Sequence, residues 1–91
     1  MKCRPKMLCH GSKVREFEVY QFEKDGNMPD WFHNLILSNK VKCDHILNAF
    51  FLRKDDNLTL IAPDDFIVSY GNGDIEAYTP VVFYRFFEFV K

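Results

Sequence analysis

Apolar and polar positions alternate along several short segments of this chain, which is typical of half-buried β-strands. In Val14–Phe22, glutamates alternate with Phe17 and Val19, so the pattern predicts a strand with these two side chains inward. Tyr20 and Phe22 then lie out of phase with Val19. A β-bulge would reconcile the two halves of the strand, and so would burial on both of its faces.

One segment has a helical period instead. Pro29 suits the first position of a helix, and Asp30 in the first turn suits the helix dipole, so we predict a helix from about Pro29 to Leu37. Its apolar side chains fall on one face: Trp31, Phe32, Leu35 and Ile36. We expect this main helix to pack its aromatic face on a sheet.

The second half of the chain reads as short strands separated by turns. The predicted strands are Val41–Cys43, Ile46–Arg53, Leu58–Ile61, Phe66–Tyr70 and Ile75–Tyr78. Asn72–Gly73 is the strongest hairpin signal, because this pair accepts the positive φ angles of a type I′ turn. Thr79 and Pro80 then form an N-cap and a first helical position, which predicts a one-turn helix to about Arg85, followed by an extended end.

These elements predict an α+β fold: a small antiparallel sheet of five to six strands in a hairpin meander, packed by one main helix, with a one-turn helix near the C-terminus. The segment 1–13 has no clean period and carries four basic residues. We therefore divide the chain into a basic N-terminal arm, residues 1–13, and a single domain, residues 14–91.

Aromatic residues are abundant for a chain of 91 residues, with ten Phe, four Tyr and one Trp. Most are expected to fill a small core. Near the C-terminus, however, Phe86 and Phe87 cannot face the same core if the segment is extended. One set of these rings is then expected to face a partner, and a second copy in a homodimer is the common solution.

The charge balance excludes several classes of function. Twelve basic and 13 acidic residues give a net charge of −1, which argues against a dedicated nucleic-acid binder and against an acidic DNA mimic. No apolar run is long enough to span a bilayer, and no signal peptide is visible. With an odd count of three cysteines, these features predict a cytoplasmic protein that does not enter membranes.

Catalytic and metal-binding patterns are weak. Cys9–His10 and Cys43-x-His45 could supply four zinc ligands, but their spacings are shorter than a zinc knuckle needs. Five aspartates that could pair as acid–base or metal-binding carboxylates fall in predicted turns, where their side chains bond to nearby backbone N–H groups: Asp55, Asp56, Asp64, Asp65 and Asp74. Because no nucleophile triad or phosphate-binding loop is present either, we predict a protein that is not an enzyme and has no metal or cofactor.

Several segments together resemble a family of small accessory proteins of tailed bacteriophages and prophages. The family opens with a strand ending in Gln and an aromatic residue, continues with a Pro-x-Trp helix, and closes with a pattern like P-G-D-W-I-I … G-E-x-Y-x-x-K-P-D-x-F-x-x-x-Y-E. The matching segments are Glu18–Phe22, Pro29–Phe32, Pro63–Val68 and Gly73–Glu76, with Pro80, Phe83, Phe87 and Glu88 at the end. The resemblance implies a phage accessory gene of unknown chemistry.

This resemblance favours a non-enzymatic phage protein that binds and modulates a host protein in the host cytoplasm, in anti-defence or host takeover. One alternative is a protein that sequesters a small, nucleotide-like signal. Stacking by Trp31, Tyr70 or Tyr78 with Arg85 or Arg53 would hold such a ligand, so these aromatic residues and Arg85 are the predicted binding residues. Another alternative is a structural or assembly component of the virion.

Overall fold

A computed structural model describes residues 1–6, 15–23, 26–71 and 73–90. In chain order, these residues form the strands β1 (Lys2–Pro5), β2 (Phe17–Gln21), β3 (Val41–Asp44), β4 (Ala49–Lys54), β5 (Asn57–Ile61), β6 (Phe66–Ser69), β7 (Ile75–Tyr78) and β8 (Phe87–Phe89). Helix α1 (Asp30–Leu37) lies between β2 and β3, and helix α2 (Pro80–Phe86) between β7 and β8.

The strands form two antiparallel sheets, one of five strands in the order β7-β6-β2-β1-β8 and one of three in the order β3-β4-β5. The predicted α+β class, the mid-chain main helix and the short C-terminal helix are confirmed. The three-stranded sheet is not hydrogen-bonded to the larger one. Apolar side chains on one of its faces pack against the larger sheet instead. Val41, Leu52 and Ile61 join one buried cluster with Ile67 and Ile75.

Both faces of the five-stranded sheet are covered, and each has its own core. The first, which we call the α1 core, comprises Tyr20, Phe22, Phe32, Val41, Leu52, Ile61, Ile67 and Ile75. The second, the α2 core, comprises Cys3, Val19, Phe66, Val68, Phe83 and Phe87. Alternate residues of one strand therefore enter different cores, as Phe66 and Ile67 do in β6.

This two-sided burial explains the change of phase in β2. Val19 enters the α2 core, whereas Tyr20 and Phe22 belong to the α1 core. The pairing between β2 and β6 runs without interruption from Glu18 opposite Ser69 to Gln21 opposite Phe66. Burial on both faces, and not a bulge, is therefore the explanation.

The N-terminus differs from the predicted loose arm. β1 lies inside the larger sheet between β2 and β8, and Cys3 at its centre is fully buried. The Arg4 Nε donates a hydrogen bond to a carboxylate oxygen of Glu88 at 3.0 Å. The sheet incorporates these residues because Cys3 supplies an apolar side chain to the α2 core. The rest of the segment, from residue 7 to residue 14, lies outside the described residues.

Local signals placed most element ends correctly. Thr79 is the N-cap of α2, and its hydroxyl oxygen accepts the N–H of Val82 at 3.4 Å. Gly71 and Gly73 both have positive φ angles of 86° and 92°, as the tight turn between β6 and β7 requires. The strand predicted from Ile46 starts only at Ala49, because residues 45–48 form a turn. No helix in the described part of the chain is long and apolar enough to cross a membrane.

Candidate functional site

The four predicted binding residues do not converge on one place. Tyr70 and Tyr78 pack against the α2 core, whereas Trp31 packs against the α1 core on the opposite face of the larger sheet. The guanidinium carbon of Arg85 lies 5.8 Å from the ring centre of Phe86, its neighbour in α2. Of the predicted set, the structure brings only the two tyrosines together.

The two tyrosine hydroxyls form a hydrogen bond of 2.5 Å. Each ring also has an aromatic neighbour from the protein itself: Phe17 meets Tyr70 edge-on with centres 4.8 Å apart, and Phe87 lies 5.3 Å from Tyr78. Burial, and then the hydrogen bond between the two hydroxyls, raises the pKa of Tyr70 above its ordinary value. The pair is thus a hydrogen-bonded part of the packing around the α2 core, and both rings already contact other aromatic rings of the protein.

A cleft of about 440 Å³ lies between the end of β4 and the turn that joins β6 to β7. Its lining carries three cationic and two anionic side chains, namely Lys40, Arg53, Lys54, Asp55 and Asp74, together with Gly73 and Ile75. Of these lining residues, Arg53 is the one that the sequence offered as a stacking cation.

Two of the cations in this cleft have bonds within the protein. Lys40 Nζ donates to the carbonyl oxygen of Gly73 at 2.9 Å. Lys54 Nζ pairs with the Glu76 carboxylate, and this hydrogen bond raises the pKa of Lys54. These contacts tie the hairpin of β4 to the β6–β7 hairpin, so the cleft lies at the junction of the two sheets.

One face of the three-stranded sheet, which we call the outer face, is covered by no other element among the described residues. Residues directly opposite one another share a face, and Phe51 stands opposite Lys42 on one side and Leu60 on the other. Arg53 stands opposite Leu58 in the next row of this face. Leu58 and Leu60 are 46% and 56% exposed. The inner face is packed instead, with Leu52 nearly fully buried.

An apolar turn continues this surface at the end of the β3–β4 hairpin. Ile46 is 96% exposed and Leu47 is 66% exposed. A carboxylate oxygen of Asp44 accepts the backbone N–H groups of both residues, at 2.9 and 3.0 Å. The bond from Leu47 is the main reason that the pKa of Asp44 is lowered. The carboxylate therefore holds the turn in a fixed shape that presents two aliphatic side chains to solvent.

A second group of exposed apolar residues lies on α2, on the other side of the molecule. Val81, Tyr84 and Phe86 are exposed there. The two neighbours Phe86 and Phe87 differ in burial, but Phe86 ends α2 and is not part of the predicted extended end; Phe86 is half exposed, whereas Phe87 is buried in the α2 core. The exposed ring of Phe86 has the Arg85 guanidinium above it, so it is a partly shielded surface group.

Metal-binding chemistry has no support in the described ranges, which contain no cluster of three or more His, Cys, Asp or Glu side chains suited to a metal ion. Cys9 and His10, half of the zinc set considered from the sequence, lie outside those ranges. Comparisons of the chain with protein-family models, curated proteins and solved structures find no match.

Proposed function

We propose that this chain is a non-enzymatic protein-binding protein, and that the outer face of the three-stranded sheet is its recognition surface. The observation that carries the proposal is the exposure of Leu58 and Leu60 beside Phe51, on a face that none of the described elements covers. Contiguous exposed apolar side chains on a folded domain are typical of protein–protein contact sites.

The surroundings of these side chains fit the usual build of an interface. An aromatic ring and aliphatic side chains lie in the middle, and the charged side chains of Lys42 and Arg53 stand at the margin of the same face. Interfaces commonly have such an apolar centre with a polar rim, and arginine is enriched in them. Ile46 and Leu47 extend the apolar surface at one end of the sheet.

The resemblance to tailed-phage accessory proteins points to the class of partner. Within this proposal, the protein acts in the cytoplasm of a bacterial host and binds a host protein, with anti-defence or host takeover as the outcome. Binding alone would be sufficient for such an effect, so no catalytic group is needed.

Capture from a bacterial lysate tests the proposal when surface variants are compared. We expect the wild-type chain to retain a host protein in a stoichiometric amount, and Leu58→Lys/Leu60→Lys to lose it. Val81→Lys is the matched control, because Val81 is an exposed aliphatic residue on α2, away from the outer face. Equal capture by all three chains, or capture of nothing, would contradict the proposed surface.

The cleft favours a second candidate, a binder of a small anionic ligand. Its volume of about 440 Å³ lies within the range of small-molecule sites, and Arg53, Lys40 and Lys54 line it. Trp31, Tyr70 and Tyr78 do not line it, so base stacking would not contribute. Native mass spectrometry with a nucleoside diphosphate as the probe tests this candidate: binding that Arg53→Met abolishes would support it, and a ligand-free spectrum would exclude it.

A further inference from the structure

We propose that two copies of this chain associate through β5, which pairs antiparallel with β5 of the second copy and joins the two three-stranded sheets into one sheet of six strands. In the part of the chain that the structure describes, β5 is an edge strand that pairs with β4 alone. An edge strand carries a row of backbone groups that can pair with another chain, and natural proteins usually protect such edges.

The edge strands of the two sheets differ in how well they are protected against pairing with another chain. Within the described residues, the other three edge strands, β3, β7 and β8, each contain charged side chains, namely Lys42 and Asp44, Glu76, and Glu88. β5 has the sequence Asn-Leu-Thr-Leu-Ile, without a charge or a proline, and its first four residues are exposed. It is therefore the edge with the least protection against pairing.

The hydrogen-bonding pattern shows which groups of β5 are open. The Arg53 N–H donates to the Lys40 carbonyl oxygen at 2.9 Å, on the side of β4 that faces β3. Arg53 and Leu58, which stand opposite each other, are therefore a pair without mutual hydrogen bonds. Because the pattern alternates, the N–H and C=O groups of Leu58 and Leu60 point away from β4 toward the free edge.

These open groups are self-complementary about a two-fold axis at Thr59. In that register, Leu58 of each copy stands opposite Leu60 of the other, and all four open groups of each strand are used. Thr59 stands opposite Thr59 of the second copy, in a pair without mutual hydrogen bonds. The contact closes after two copies, as an isologous interface does. Since residues 57–61 carry no charge, no like charges meet across the axis.

Pairing would enlarge the surface assigned to partner binding. It places Leu58 of one copy beside Leu60 of the other on the same face, so the two outer faces become continuous. The proposed dimer depends only on the open edge of β5, whereas the larger recognition surface also depends on the proposed function.

The contact between the two β5 strands is small. Five residues from each copy are far fewer than the roughly 20–30 per side of a stable interface. We therefore expect a dissociation constant on the order of 10–100 µM.

Charge variants at the axis test the register. Thr59 is exposed and lies on the sheet face opposite Leu58 and Leu60, so a change there leaves the outer face intact. We expect sedimentation equilibrium to show a concentration-dependent dimer for the wild type. Thr59→Lys and Thr59→Glu should each weaken it about tenfold or more, because like charges then stand directly opposite. An equimolar mixture of the two variants should dimerise again, because opposite charges meet.

Val81→Lys is the control for added charge and should dimerise as the wild type does. A wild type that stays monomeric up to about 500 µM would overturn the proposal. So would a dimer that Thr59→Lys leaves unchanged, or a mixture that shows no recovery. The sedimentation test and the lysate test can fail independently. A monomer that still captures a host protein through the outer face would refute the dimer and leave the proposed function supported.

Discussion

The ring of Phe83 lies stacked on the ring of Phe66, with centres 4.1 Å apart and planes inclined by 16°. Phe83 comes from α2 and Phe66 from β6, so this contact fastens the short C-terminal helix to the larger sheet. Phe87 is also stacked with Phe83, with ring centres 5.3 Å apart. Three rings from two distant parts of the chain thus hold the α2 core together.

This stack makes Phe83 a dominant residue for stability. We expect Phe83→Ala to lower the free energy of unfolding by about 3–5 kcal/mol, because Phe83 is fully buried and its loss leaves a cavity. Phe86→Ala is the matched control on the same helix, where the ring is half exposed, and should cost less than about 1 kcal/mol. Urea denaturation measures both. Similar losses for the two variants would mean that α2 does not pack as described.

Alkaline pH should destabilise the protein through the buried thiol of Cys3 and the half-buried hydroxyl of Tyr70. Burial, with a smaller contribution from Glu18, raises the pKa of Cys3 from 9.0 to about 11, and burial raises that of Tyr70 above 10.0. The folded state therefore holds these protons more tightly than the unfolded state does. Their contribution to stability is complete below pH 9 and is lost as the pH rises through about 11 and higher.

The measurement is the free energy of unfolding by urea at several pH values between 7 and 11. We expect a decline that starts near pH 9, with a slope of up to about 1.4 kcal/mol per pH unit for each group. Cys3→Ala should flatten the first part of this decline, although its stability at pH 7 also falls because of the lost packing. A slope between pH 9 and 10 that is the same in wild type and variant would argue against a buried thiol at this position.

Much of the fold could be predicted because local signals determined it. Asn72–Gly73, Thr79 and Pro80 depend on backbone preferences that act within a few residues, and they placed the last hairpin and α2 correctly. The assignment of β1 required a long-range contact instead. Lys2–Pro5 is a strand because β2 and β8 bind it on both sides, and no local pattern reports those neighbours.

The candidate site was harder to predict for a related reason. In β5, Leu58 and Leu60 alternate with polar residues, and this pattern does not distinguish a face that packs on the core from a face that is open to solvent. The structure turns them outward, because Leu52 and Ile61 already fill the inner face of the same sheet. The opposite holds for Tyr70 and Tyr78. The sequence predicts them as binding residues, whereas in the structure they pack against the α2 core.

The turn between β6 and β7 should tolerate substitution poorly. We expect Gly71→Ala and Gly73→Ala each to cost about 1–2 kcal/mol of stability, because both positions have φ near +90°. A Cβ on Gly73 would also lie 3.3 Å from Lys40 Nζ, whereas a Cβ on Gly71 would meet nothing within 4 Å. The two variants should nevertheless differ by less than about 0.5 kcal/mol in urea denaturation, because the end of a lysine side chain moves easily. A much larger loss for Gly73→Ala would show that Lys40 is fixed at the cleft.

The carboxylate of Asp44 should control how the apolar turn at residues 45–48 is presented. In Asp44→Ala the N–H groups of Ile46 and Leu47 lose their acceptor, so we expect their hydrogen exchange to become about threefold to tenfold faster. Asp44→Asn keeps an oxygen acceptor and should lie between wild type and Asp44→Ala. Asp56→Ala, in the turn between β4 and β5, is the control and should leave both amides unchanged.

The same contact predicts a dependence on acid. The pKa of Asp44 is lowered chiefly by the bond from the Leu47 N–H, so the folded state favours the charged carboxylate. Its stabilising effect is present above the ordinary pKa of 3.8 and disappears as the pH falls below that value. We therefore expect the chemical shifts of the Ile46 and Leu47 amides in NMR spectra to titrate together, with a midpoint below 3.8. A midpoint at or above the ordinary value would show that the carboxylate does not hold the turn, and Ile46 and Leu47 would then be a mobile loop instead of a fixed part of the recognition surface.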